Sequence, residues 1–240
     1  MGASRKSQPL SQTRLVADYL GKGALCNVSS EMLALAPVDA YLCPLFLKQP
    51  LLESFMSADL EHIRQVMREA DCLYTNDEVE ASIARVGEQI NNVLAERNPV
   101  VFCVMNGGLI FAGKLLTHLN FPLEASYLHA TRYRNETSGG ELFWKAKPEV
   151  SFIDRDVLII DDILDEGHTL GAIIDFCKYS GARAVHTAVL IDKDHDRKAR
   201  PDLKADFVGL PCIDRYIFGY GMDYKGYWRN AAGIYAVKGM

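Results

Sequence analysis

Asp161 and Asp162 stand side by side directly after an apolar run, VLII. A third acid, Asp165, follows, and then Glu166-Gly167-His168-Thr169. An unbroken apolar run reads as a strand covered on both faces. Val157 to Ile160 is therefore expected to leave the core and deliver Asp161 and Asp162 to the sheet edge, with Ile163 to Gly167 as a loop. The next helix is expected to start near His168-Thr169. Its first turn offers unpaired backbone N–H groups and the positive end of the helix dipole, which suit a phosphate. Thr169, and His168 when protonated, add donors. Carboxylates beside such a pocket have hydroxyls or a divalent cation as natural partners. Phosphate next to vicinal hydroxyls describes a phosphorylated sugar. A single acid before a helix is an ordinary cap; two adjacent acids with Gly-x-Thr leading into the helix exceed what capping needs. The spacing is not that of an EF-hand loop, and the chain has no P-loop.

Other stretches carry weaker signals. Met105-Asn-Gly-Gly108 ends an apolar run, Lys193 lies in IDKDHD just past another, and DRYIFGYGMDYKGYWRN spans Asp214 to Asn230. Taken alone these are a turn, a solvated charged loop and the aromatic edge of a hairpin.

The elements that must position these residues follow from periodicity. Leu60, Ile63, Met67 and Ala70 share one helical face. Thr75-Asn-Asp-Glu78 is a capping box opening a helix with Val79, Ile83, Val86, Ile90 and Leu94 on its apolar face. Strands are predicted at Pro99 to Met105, Pro122 to Thr131, Glu141 to Lys147, Val157 to Ile160 and Ala184 to Ile191, with short ones near Phe207, Tyr216 to Phe218 and Ile234 to Val237. Helices are predicted at Leu109 to Leu119 and Thr169 to Tyr179. Alternating strands and helices make an α/β domain with a mainly parallel sheet. Ligands of such sheets sit at the carboxyl ends of strands.

The bulk numbers set the class. With 240 residues, 49% hydrophobic and 24% charged, the composition is that of a globular domain. A net charge of −5 gives no footprint for nucleic acid or a membrane surface, and no apolar stretch is long enough to span a bilayer. The six cysteines are scattered, without CxxC pairs or zinc-finger spacing. They read as buried free thiols in a reducing compartment, and the expected location is cytoplasmic. Residues 1–55 are poorly patterned: polar to Thr13, then apolar but broken by Pro37, Pro44 and Pro50. They read as a flexible extension, a weak targeting peptide or translated upstream sequence with Met56 as the natural start. The last is favoured, because globular patterning begins just after Met56. Residues 56–240 then form the functional domain.

VLIIDDILDEGHTL resembles the signature of the type I phosphoribosyltransferases, and more narrowly the 6-oxopurine branch; the likeness runs from about Leu60 to Val237. The resemblance implies the family fold: a mainly parallel central sheet flanked by helices, with a small hood built from N- and C-terminal segments. It implies 5-phosphoribosyl-1-pyrophosphate and a 6-oxopurine base as partners and Mg²⁺ as cofactor. Asp161 is the acid common in adenine and orotate enzymes, whereas Asp165 points to the 6-oxopurine branch. On this resemblance Asp161, Asp162, Asp165, Glu166, Gly167, His168 and Thr169 bind ribose and the 5′-phosphate, and Asp165 exchanges a proton with the base. Met105, Asn106, Gly107 and Arg229 take the pyrophosphate, with a cis or switchable Met105–Asn106 peptide. Lys193, Tyr216, Ile217 and Asp223 take the purine; an ammonium donates only, so it accepts a carbonyl and rejects an amino group. Asp161, Asp162 and Asp223 would hold metal, and Arg132 and Tyr133 belong to a loop that closes over the site.

The expected activity is purine salvage, transfer of the phosphoribosyl group to hypoxanthine and/or guanine with release of pyrophosphate. The alternative is a transcriptional regulator of the same fold that binds the same ligand. The ranking of hypoxanthine, guanine and xanthine stays open at this point, as does the choice between homodimer and homotetramer.

Overall fold

The computed structural model describes residues 60–132 and 142–239. The extension 1–55, Tyr133 and the interior of the expected closing loop lie outside them.

A capping box starts the longest helix. Helix α1 (residues 60–69) is followed by strand β1 (Asp71–Thr75), and Thr75 is the N-cap of α2 (Asn76–Leu94). The Thr75 hydroxyl accepts from the Glu78 amide, and the Glu78 carboxylate accepts from the Thr75 amide at 2.8 Å. The apolar residues of α2 recur at helical spacing, and Val79, Ile83, Val86, Ile90 and Leu94 are all fully buried. Strand β2 (Val100–Val104) leads into α3 (Leu109–Leu115), which tightens into a 3₁₀ turn, Leu116–His118. Then come β3 (Glu124–Arg132), β4 (Leu142–Ala146), β5 (Asp156–Leu164), α4 (His168–Tyr179), β6 (Ala184–Asp194), β7 (Phe207–Ile213), β8 (Ile217–Phe218) and β9 (Gly233–Ala236).

Six strands form the main sheet in the order β4-β3-β2-β5-β6-β7, parallel except for β4. Strand alternation splits the core in two. Leu158 and Ile160 pack towards α2 and α3, while Val157 and Ile159 pack with Leu170, Ile173 and Cys177 of α4. Chain order reverses between β2 and β5, and in such sheets the crevice at this switch point is the ligand site. The second sheet, β1-β9-β8, is antiparallel and joins an early strand to two late ones. This is the expected hood, although β1 carries no clear periodic signal and was not anticipated.

Strand β5 does not stop where its apolar run stops. Asp161 pairs with Val189, Ile163 with Ile191 and Leu164 with Asp192. The two aspartates therefore lie inside the strand, not at its edge, at 8% and 9% exposure. The reason is the partner: β6 runs on to Asp194, so the backbone ladder continues after hydrophobicity ends. Among the described thiols, Cys177 and Cys212 are buried as expected, Cys103 is half-buried and Cys72 is exposed.

Candidate active site

The chain after β2 turns tightly against the end of β5. The Met105–Asn106 peptide is cis. Gly107 follows, and a Cβ there would lie 2.1 Å from Oδ2 of Asp162, so only glycine fits between this turn and the carboxylate. On its other side a Cβ at Gly221 would meet the Gly107 carbonyl at 1.9 Å. The hood segment, the β2 turn and the acid pair thus close on one another.

The Asp162 amide donates to Oδ1 of Asp161 at 2.9 Å. Among the described residues, neither carboxylate has an ion-pair partner within 4.0 Å. Burial, and then the charge of Asp162, raise the Asp161 carboxyl well above the usual range. Burial raises Asp162 as well, opposed by its hydrogen bond with Asp161 and by the charge of Arg229. Two buried carboxylates with no ion-pair partner among the described residues are suited to donors supplied from outside.

Beyond β5, Gly167 caps α4 in a left-handed conformation (φ 79°) with no side-chain cap, so the first amides of α4 stay free for an anion. His168 Nε2 lies 3.4 Å from Glu166 Oε2, which ties the side chain expected to face phosphate to its neighbour. A cavity of about 670 Å³ joins these parts: Met105 to Gly107, Asp161, Asp162, Asp165 to Thr169, Asp223 and Arg229 all line it. His129 of β3 and Lys145 of β4 line it too. Neither was singled out from sequence, because each sits in a strand read only for its alternation. Burial, then Lys145 nearby, lowers the pKa of His129.

A second pocket, about 210 Å³, shares Asp162, Ile163, Asp165 and Asp223 with the first and adds Lys193, Tyr216, Ile217 and Met222. The expected purine contacts are thus brought together. Lys193, 8% exposed near the end of β6, donates to Oδ2 of Asp165 at 2.9 Å and lies 3.8 Å from Asp214. Burial opposes ionisation of Asp165, but hydrogen bonds from Lys193 and His195 outweigh it and hold the carboxyl below its usual range. His195 was not anticipated either. Tyr216 keeps 44% exposure, its ring nearly perpendicular to that of Tyr224 at 5.7 Å between centroids. Asp223 accepts from the Gly226 amide at 2.7 Å and is paired with Arg229.

The acids expected to hold metal, Asp161 and Asp162 on the one hand and Asp223 on the other, border the same space. Among the described residues the group whose ligand atoms all lie within 4.8 Å is Asp165, His195 and Asp214. Asp223 is paired with Arg229. Arg132 closes β3, and its side chain, like Tyr133, lies outside the described residues.

A helix start with free amides, a buried acid pair and an aromatic pocket meet at a sheet switch point. Together they define a class of protein that handles a phosphorylated sugar and a planar ring. A family model described as a phosphoribosyl transferase domain matches residues 69–225. A hypoxanthine-guanine phosphoribosyltransferase of Bacillus subtilis is 33% identical over 167 residues, covering 69% of this chain and 92% of the relative. A hypoxanthine-guanine-xanthine phosphoribosyltransferase of Tritrichomonas foetus is 30% identical over 178 residues, covering 74% and 92%. The crystal structure of a hypoxanthine phosphoribosyltransferase from Staphylococcus aureus superposes with a TM-score of 0.66 at 28% identity, covering 70% of this chain and 91% of that one. The chain belongs to the phosphoribosyl transferase family.

Proposed function

We propose that this protein transfers the 5-phosphoribosyl group of phosphoribosyl pyrophosphate to hypoxanthine or guanine, releasing pyrophosphate and the nucleoside 5′-monophosphate. One observation carries the reading: Lys193, Asp165, Tyr216 and Ile217 line a pocket that opens onto the phosphate cavity through Asp162 and Asp223. Tyr216 stacks on the purine. Lys193 leaves Asp165 and donates to the 6-oxo group, which frees Oδ2 of Asp165 to take the proton from N7 as N9 attacks C1 of the ribose. Asp161 and Asp162 hold the ribose hydroxyls and set C1 in line with the attacking nitrogen. Arg229 and the amides of Asn106 and Gly107 receive the pyrophosphate.

The acid donors suit a hard divalent cation. Asp161, Asp162 and Asp223 would hold Mg²⁺ with help from ligand oxygens, and it would supply charge neutralisation for the leaving pyrophosphate. The regulatory alternative has no comparable support, since the relatives compared above are named as transferases. Among the described residues no helix is long and apolar enough to cross a membrane.

The test is a spectrophotometric assay of hypoxanthine, guanine and xanthine, each with phosphoribosyl pyrophosphate and Mg²⁺, with adenine as control. Turnover of hypoxanthine or guanine and not adenine is expected. No turnover of any 6-oxopurine would overturn the reading.

A further inference from the structure

Asp165 is held at both oxygens. Lys193 occupies Oδ2, and His195 Nε2 lies 2.7 Å from Oδ1. The imidazole is 5% exposed and lines neither the 670 Å³ cavity nor the 210 Å³ pocket. It stands behind the carboxylate, away from both. Its tautomer is fixed by the backbone: the Arg197 amide donates to Nδ1 at 3.0 Å. Nδ1 is therefore the acceptor, and Nε2 carries the hydrogen that points at Asp165.

The loop that carries His195 is pinned on both sides of Asp165. Lys198 Nζ donates to the Leu164 carbonyl and to Asp192, each at 2.8 Å. The Ala199 amide donates to the Glu166 carbonyl at 2.7 Å. Arg200 pairs with Asp175 of α4. The charged groups facing the pair are accounted for: Lys193 on Oδ2, Arg197 at 3.9 Å from Oδ1 but bound to Asp214, and Asp214 at 3.8 Å from Lys193.

We propose that His195 is a positioning residue for the transfer reaction: its fixed Nε2–H holds Oδ1 of Asp165, so that Oδ2 faces the purine when Lys193 moves to the 6-oxo group. The inference rests on the reading of Asp165 as the proton acceptor. The two donors on Asp165 then have different fates. Lys193 leaves with the substrate, and His195 stays. Without His195 the carboxylate turns freely, draws towards Arg197, and binds protons more readily because a donor to its ionised form is gone.

The test compares His195→Phe, which fills the volume without a donor, with His195→Gln, which keeps an N–H near the Nε2 position. In His195→Phe, kcat with hypoxanthine falls roughly 10- to 100-fold, the loss of one hydrogen bond to a charged group. The KM for phosphoribosyl pyrophosphate stays put, and the acid limb of kcat/KM for hypoxanthine moves up by about one pH unit. His195→Gln restores most of kcat and the position of the limb. A wild-type kcat and acid limb in His195→Phe would overturn the proposal, as would a His195→Gln variant that loses as much. Nitrogen NMR of the wild-type imidazole needs no variant: an Nε2–H tautomer is expected, and an Nδ1–H tautomer would also overturn it. Failure of the wild-type chain to turn over hypoxanthine would instead sink the underlying reading of the site.

Discussion

The two pockets that meet at Asp162 treat charge in opposite ways. In the larger one, Asp161 and Asp162 are buried with no ion-pair partner among the described residues, and their carboxyls are raised. In the smaller one, Lys193 satisfies Asp165, which His195 also holds from outside the pocket, and the Asp165 carboxyl is lowered. The sugar-phosphate half is a charge imbalance waiting for its ligand. The base half is balanced, and the ligand must break into it. A base with a carbonyl at position 6 can take Lys193 from Asp165, because it offers an acceptor in exchange; an amino group offers none. On the proposed reading, selectivity lives in the paired region and affinity in the unpaired one.

The contrast breaks most sharply at Asp165. Asp165→Asn keeps the shape but removes the proton acceptor, so kcat should fall by about 10²–10⁴-fold with the Kd for phosphoribosyl pyrophosphate little changed. Steady-state kinetics and calorimetry read the two halves separately. Lys193→Met comes next. It removes the exchange partner, and kcat/KM for hypoxanthine should drop by roughly 10- to 100-fold while the rejection of adenine relaxes by a similar factor. An unchanged ratio of the two bases would sink the exchange.

Stability gives a smaller effect of opposite sign in the unpaired half. A carboxyl raised in the folded state binds protons more tightly there than in the unfolded chain, so stability falls as pH rises from the ordinary value of 3.8 through the raised folded value. Asp161→Asn removes that loss. Ligand-free Tm at neutral pH should rise by a few degrees, on the order of 1 kcal/mol, and ribose binding should weaken; near pH 3.5 the gain should vanish. A Tm that falls at neutral pH would contradict the imbalance. Thr75→Ala, at a residue that lines neither pocket, serves as the baseline: the lost cap costs about 1 kcal/mol, with kcat unchanged.

Much of the arrangement was legible in the residues. VLII followed by two acids marked the strand and the buried acid pair, and the capping box at Thr75 placed α2. What was not legible came from partners distant in sequence. Strand β5 outlasts its apolar run because β6 lies beside it, and no local pattern in VLIIDDIL carries that. His195 reads as one polar residue in DKDHD until the fold sets it 2.7 Å from Asp165. His129 and Lys145 line the cavity from β3 and β4, whose antiparallel pairing has an irregularity after His129. The short β1 was hidden because it completes a sheet with β9 from the other end of the domain.

The most direct test of the account is a competition. Hypoxanthine and adenine at equal concentration are given to the wild-type protein with limiting phosphoribosyl pyrophosphate and Mg²⁺, and the nucleotides are separated by chromatography. The account predicts inosine monophosphate as the dominant product, with adenosine monophosphate at least about tenfold lower, the least that one mismatched buried polar contact imposes. Comparable amounts of the two nucleotides, or adenosine monophosphate alone, would contradict it.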